Sequence, residues 1–224
     1  MVAMLSSLRA AAAPLAVAAT LLIAGCGGSD DEADTAATTT GPAAAEVELG
    51  PPFDAIASLP GALKTPPPWP ANTERLQQRL RAIGLAPLTE EGQALHTHQH
   101  LDIFVDGEPV EIPGDLGIGD GFISDLHTHA SYPPGIIHVE SPTQARFSLG
   151  QFFAVWGVPL SATCIGSLCE EGDKQLKAWV DGKPVNADPT RIVLEDHQQI
   201  VLAYGTAAQE PDPVPASYDW PEGL

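Results

Sequence analysis

The sequence predicts an α+β fold: a single compact domain of mostly antiparallel strands, β-grasp-like or sandwich-like, with one or two short helices. Three observations point there. The runs LDIFVDGEPV (Leu101 to Val110) and LKAWVDGKPV (Leu176 to Val185) each alternate apolar with polar residues and then meet an Asp-Gly pair. Asp-Gly between alternating runs is a strong hairpin signal, because both residues tolerate the positive φ of a type I′ turn. A third stretch, NTERLQQRLRAIGL, shifts the apolar spacing from two to three and four, the period of a helix. Strand pairs and helices in one chain segment of this size make a layered domain around one core.

Each element can be justified in chain order. Asn72 or Thr73 can cap the first helix, Leu76, Leu80 and Ile83 share one face, and Gly84 ends it. In the strand that follows, Leu95, Leu101, Ile103 and Val105 face one side. His96, His98, His100, Asp102 and Phe104 face the other. Asp106-Gly107 turns the chain, and EPVEI is the returning strand. GIIHVES, from Gly135, is a strand with Ile136, His138 and Glu140 on one face. RFSLGQFFAVWGV ends a strand and opens a short helix, with Ser148 as its cap. The second Asp-Gly hairpin echoes the first but has no histidines upstream. RIVLEDHQQIVLAYG supplies a last strand pair turning near Glu195 to Gln198.

The ends of the chain are of other kinds. Residues 1–25 read as a secretory signal: MVAMLSSLR carries one positive charge, and an apolar run follows. Its end, LIAGC, resembles the lipobox of bacterial lipoproteins. That resemblance implies cleavage before Cys26 and acylation of its thiol, and so a chain lipid-anchored to the cell membrane on its extracytoplasmic side. Each buried methylene contributes about 0.8 kcal/mol, so two or three acyl chains hold a protein on a bilayer. Residues 26–70 read as an acidic, proline-rich tether with too little apolar surface to offset ordering. Residues 71–205 are the globular histidine-rich domain, and 206–224 an acidic proline-rich tail whose Tyr218 and Trp220 could dock back.

The net charge is −19, with ten Lys and Arg against 29 Asp and Glu. Nucleic-acid binding needs a basic footprint, and the sequence has none. Acidity suits solubility and the attraction of cations. Cys164 and Cys169 remain besides Cys26, and in an exported chain such a pair closes a small disulfide loop. The alternative is a pair of thiolates on a metal.

Chemistry concentrates in the histidines. Six of seven lie between His96 and His138, five of them in H-x-H spacing. Histidines two apart on a strand share a face, with Cα atoms about 6.6 Å apart. Two such imidazoles can lean onto one ion at the ~2.0–2.1 Å that zinc requires. His96 and His100 would be about 13 Å apart on a flat strand, too far to share one ion. The best single site takes His127 and His129 with His138 from the neighbouring strand. His98 and His100 then face the same pocket or build a second site, with His96 nearby. Asp102, Asp125 and Glu140 are the acidic candidates for ligand, outer shell or proton transfer. His197 reads as an exposed turn residue.

The two methionines, Met1 and Met4, lie in the leader. With the cysteines paired, this disfavours methionine-rich copper(I) and blue-copper sites. It leaves a divalent transition metal on imidazoles, zinc favoured and copper(II) second. HTHQHLD resembles the H-x-H-x-D-H motif of metallo-β-lactamases but has His100 where that motif needs Asp. There is no G-x-S-x-G and no phosphate-binding glycine loop. The string HTHQHLDIFVDGEPVEIP, with LHTH, GIIHVESP and FSLGQFFAVWG, is similar to a family of uncharacterised exported bacterial and archaeal proteins. That similarity implies a shared site without naming its chemistry. Three functions follow: a membrane-anchored metal carrier, sensor or sequestering module; a hydrolase or lyase in which Glu140 or Asp102 moves protons; or a structural lipoprotein with a pH-sensitive histidine face.

Overall fold

A computed structural model describes residues 50–224; the leader, Cys26 and the first part of the acidic tether lie outside the described residues. Among the described residues there are three α-helices, α1 (Phe53–Ser58), α2 (Leu76–Ala82) and α3 (Leu149–Trp156). The first strands are β1 (Leu95–Val105), β2 (Glu108–Val110), β3 (Ile118–Gly119), β4 (Phe122–Ile123), β5 (Leu126–His127) and β6 (Ile136–Ser141). After α3 come β7 (Cys164–Ile165), β8 (Leu168–Cys169), β9 (Gln175–Val180), β10 (Lys183–Val185) and β11 (Gln198–Gly205).

The main sheet runs β10-β9-β11-β1-β6-β5, with β2 also paired to β1. The predicted α+β class holds: the main strands form one open sheet rather than two packed ones, and β3-β4 and β7-β8 are separate two-stranded hairpins. Both Asp-Gly hairpins form, and in the same register: Ile103 faces Val110 as Ala178 faces Val185. Asp106, Gly107, Asp181 and Gly182 all take positive φ, as a type I′ turn demands. Helix α3 lies in the chain between the hairpins, and β11 then enters between β1 and β9. That order, with β11 parallel to β1, fits the β-grasp-like alternative. It also corrects one expectation. The segment from Arg191 does not form a strand pair turning near Glu195. Its first half is a 3₁₀ turn, Pro189–Arg191, and a single bridge from Val193 to Ser148; only β11 is a strand.

Helix α3 is buried along its whole length. Its first turn is closed by a capping box: Gln151 N–H donates to Ser148 Oγ, and Ser148 N–H donates to Gln151 Oε1. Phe152 and Phe153 join Leu76 and Leu80 of α2 and the sheet residues Leu101, Ile103, Ile137, Val139, Ile200 and Leu202 in one core. Helix α2 departs from its sequence reading at the start. Neither Asn72 nor Thr73 caps it; Arg75, with φ 59°, stands at the N-cap and makes no side-chain cap bond. Asn72 instead donates to the Gly61 carbonyl. Arg79 is fully buried and donates to the carbonyls of Val155, Glu74, Pro60 and Asn72. It thereby serves an orphan carbonyl near the C-terminus of α3.

The packed region begins upstream of residue 71. Ile56 is 0% and Trp69 1% exposed, and the Trp69 ring meets Trp156 edge-on at 5.9 Å. Two large apolar side chains make up for the ordering of a proline-rich segment otherwise read as tether. The tail also docks: Val214 packs on a second cluster of Trp179, Val201 and Ala203 on the opposite face of the sheet. Cys164 and Cys169 form a disulfide across the β7–β8 hairpin, which rules out the metal-thiolate alternative for this pair.

Candidate metal centre

Sheet register gathers the histidines. His98 stands opposite His138, and His138 opposite His127, so three imidazoles form a row across β1, β6 and β5. The next row along the same face places His96 opposite Glu140. Side chains two residues apart on a strand share a face, so the rows lie side by side, away from the apolar core. The loop before β5 must come close to make room for the row. A Cβ at Gly117, where φ is +76°, would lie 2.3 Å from the Leu126 carbonyl oxygen and 3.0 Å from His127 Cβ. Glycine alone fits there.

The side chains converge as potential ligands. His127 Nε2 and His129 Nε2 are 3.1 Å apart, and so are His96 Nε2 and His98 Nε2. Glu140 Oε1 is 3.1 Å from His96 Nε2, 3.3 Å from His138 Nδ1 and 3.9 Å from His127 Nε2. Two quartets result: His96, His98, His138 and Glu140; and His127, His129, His138 and Glu140. In each, one ligand atom per residue lies within 4.8 Å of every other. Nitrogens at zinc distance around a tetrahedron are roughly 3.3 Å apart. The observed spacings bracket that edge. The histidine and glutamate groups are therefore positioned to hold a metal ion.

Burial sets the protonation of these groups. His127 is pushed down to about 4, first by burial, against the pull of the Glu140 charge and its bond to Ser124. His98 is also pushed down to about 4, by burial and then by His138 and His96. His129 is lowered, by burial and then by His138. Neutral imidazoles have a lone pair to give, which is the form a metal takes. His127 Nδ1 lies 2.9 Å from the Ser124 carbonyl and donates to it, which leaves Nε2 as the lone pair facing the cluster. Burial pushes the Glu140 carboxyl up, but the bond from His138 and the charges of His127 and His96 outweigh it and hold it low.

Not every predicted residue joins. His100 was paired with His98 in sequence, yet the structure pairs His98 with His96. His100 Nδ1 is 3.0 Å from Gln199 Oε1, and its ring stacks on Tyr218 at 3.7 Å. Its partner on β6 is Ile136, which offers no ligand. Asp102 accepts from Gln199 Nε2 and lies 3.7 Å from His100 Nδ1, outside both quartets. Asp125 is buried and its carboxyl raised by that burial; its carbonyl accepts from Glu140 N–H, behind the cluster. His197 is exposed at its turn, as expected, with Trp220 4.8 Å away.

Three neighbours escaped the sequence reading. Glu91 Oε1 is 3.5 Å from His129 Nε2. Ser124 orients His127 through its carbonyl, which no side-chain pattern encodes. Tyr132, 38% exposed, lies 5.1 Å from the His138 ring, centroid to centroid. Only the placement of Tyr132 in the short loop between LHTH and GIIHVE hinted at nearness. Comparison of the chain with family models, with curated proteins and with solved structures gives no match, and the centre stands on its own geometry.

Proposed function

We propose that this chain is a membrane-anchored exported lipoprotein whose histidine cluster binds a divalent transition metal, zinc first and copper(II) second. In this reading it is a carrier, sensor or sequestering module. One observation carries the metal: His138 Nε2 and Glu140 Oε2 are buried and have no hydrogen-bond partner. Both sit among imidazoles, in residues 2% and 3% exposed. Leaving a buried polar atom unpaired costs about 1–3 kcal/mol, and more for a charged one. A cation is the kind of partner that both atoms lack. The anchor rests on the LIAGC leader and Cys26.

Binding is placed before catalysis because either quartet, filled by a single ion, supplies four protein ligands, enough to close a tetrahedral shell. A cavity of about 640 Å³ lies beside α2, lined by Thr73 to Gln78, Arg81 and the β3–β4 turn, with no histidine among its walls. The metalloenzyme reading, a hydrolase or lyase, keeps one supporting observation. The His96 side chain is 48% exposed while its Nε2 lies 3.1 Å from Glu140 Oε1, so one imidazole of the cluster is open to solvent. Imidazole and carboxylate donors without thioether or thiolate suit zinc(II) and copper(II) over copper(I), and zinc is placed first.

The test is metal content by mass spectrometry on the full chain, purified without a histidine tag, beside a His138→Ala/Glu140→Gln variant. Stoichiometric metal in the parent and none in the variant supports the reading. No metal in the parent, even after reconstitution with zinc and with copper, sinks it. A Cys26→Ser chain that stays in the membrane fraction would remove the anchor.

A further inference from the structure

We propose that the cluster is a binuclear centre, in which the Glu140 carboxylate bridges two divalent transition cations. The inner ion is held by His127 and His129 and the outer by His96 and His98, with His138 between them. This rests on the metal-binding reading above and specifies its stoichiometry and ligands.

The first argument is reach. Two donors on opposite sides of one ion at zinc distance are separated by at most about 4.2 Å. The six side chains do not fall into one set within 4.8 Å; they fall into two, which share only His138 and Glu140. One ion cannot engage all six where they stand. The second argument is repetition. Each histidine pair brings two Nε2 atoms to 3.1 Å, and each has a nitrogen near the same oxygen, Glu140 Oε1, at 3.1 Å from His96 and 3.9 Å from His127. A carboxylate facing two nitrogen pairs, with Oε2 still unpartnered, is built as a bridge. Two-metal centres place their ions ~3.5–4 Å apart, a span one carboxylate covers.

Charge adds a ligand. Two dications against one carboxylate leave surplus positive charge in a buried setting, and such a pair takes an anion as well. The chemical class is hydroxide or a small oxyanion, and Glu91, 3.5 Å from His129, stands at the margin. The two positions also differ. His127 is fully buried and its ring is fixed by the Ser124 carbonyl, so the inner position is preformed. His96 is half exposed, so the outer position fills second and exchanges faster.

The experiment titrates the metal-stripped full chain with zinc under native mass spectrometry, and with copper(II) under electron paramagnetic resonance. Two zinc ions per chain, bound in sequence, are expected, falling to one in His96→Ala/His98→Ala. The copper form should give the spectrum of a magnetically coupled pair, lost in Glu140→Gln. Saturation at one ion overturns the bridge but leaves the metal reading intact. Two uncoupled copper ions also overturn it, as surface binding. No uptake at all overturns both. Parent stoichiometry and coupling need no variant, so a variant that fails to fold does not spare the proposal.

Discussion

Burying imidazoles beside one another sets the protein against acid. His98 and His127 are each pushed down to about 4 in the fold, from an ordinary 6.5, by burial before any other cause. In the unfolded chain the same rings take up protons as pH falls below about 6.5. Between those values the unfolded state binds more protons than the folded one. Their stabilising contribution is therefore whole above about pH 6.5 and is lost as pH falls toward 4. Urea denaturation of the metal-stripped chain should show its midpoint falling across that window, and falling less in His127→Gln. A flat profile would show that neither ring is held neutral. The residue scale also explains why His100 misled: H-x-H-x-H looks uniform in sequence, but only the residue opposite decides which imidazole has company. His138 and Glu140 stand opposite His98 and His96, and Ile136 stands opposite His100.

Local chemistry made some elements legible and pairing at a distance hid others. Both Asp-Gly hairpins and the Ser148 cap follow from residues a few positions apart. The site is a partial case: H-x-H on strands announced ligands on one face, but the meeting of Glu140 with His96 depends on a register that no local signal sets. The parallel partnership of β1 with β11 joins Leu101 to Ile200 across most of the domain. The turn before β11 suggested a hairpin because Val193 and Leu194 look like strand residues. They are instead taken by α3, where Val193 bridges Ser148 and Leu194 N–H donates to the Phe147 carbonyl. The α3 cap can be checked directly. Ser148→Ala removes the side-chain half of the capping box and should cost about 1 kcal/mol, read as a lower urea midpoint with an unchanged slope. Gly50 N–H also donates to Ser148 Oγ, so the loss should not fall below that.

At the level of the whole molecule, segments outside the central hairpins complete the fold. Ile56 and Trp69 close one side of the core, and the tail lays Tyr218 on His100 and Trp220 near His197 on the other. Truncation after Glu210 should cost about 1–2 kcal/mol from the lost stacking and apolar cover. It should also make His100 accessible to diethyl pyrocarbonate while His127 stays protected. Equal reactivity before and after truncation would mean that the tail does not cover the ring. The twin hairpins have a consequence for how the chain gets there. Each presents one side of a long strand, β1 or β9, to a slot that only β11 fills, and β11 is the last strand made. Until its residues emerge, the two halves carry unpaired edges and have nothing to join them. Closure then demands contacts between residues about a hundred positions apart, the kind that fold slowly because loop entropy is spent before it is repaid. The histidine-bearing strands β1, β6 and β5 are neighbours in the sheet and need no such wait, so the cluster can be assembled before the two halves are joined.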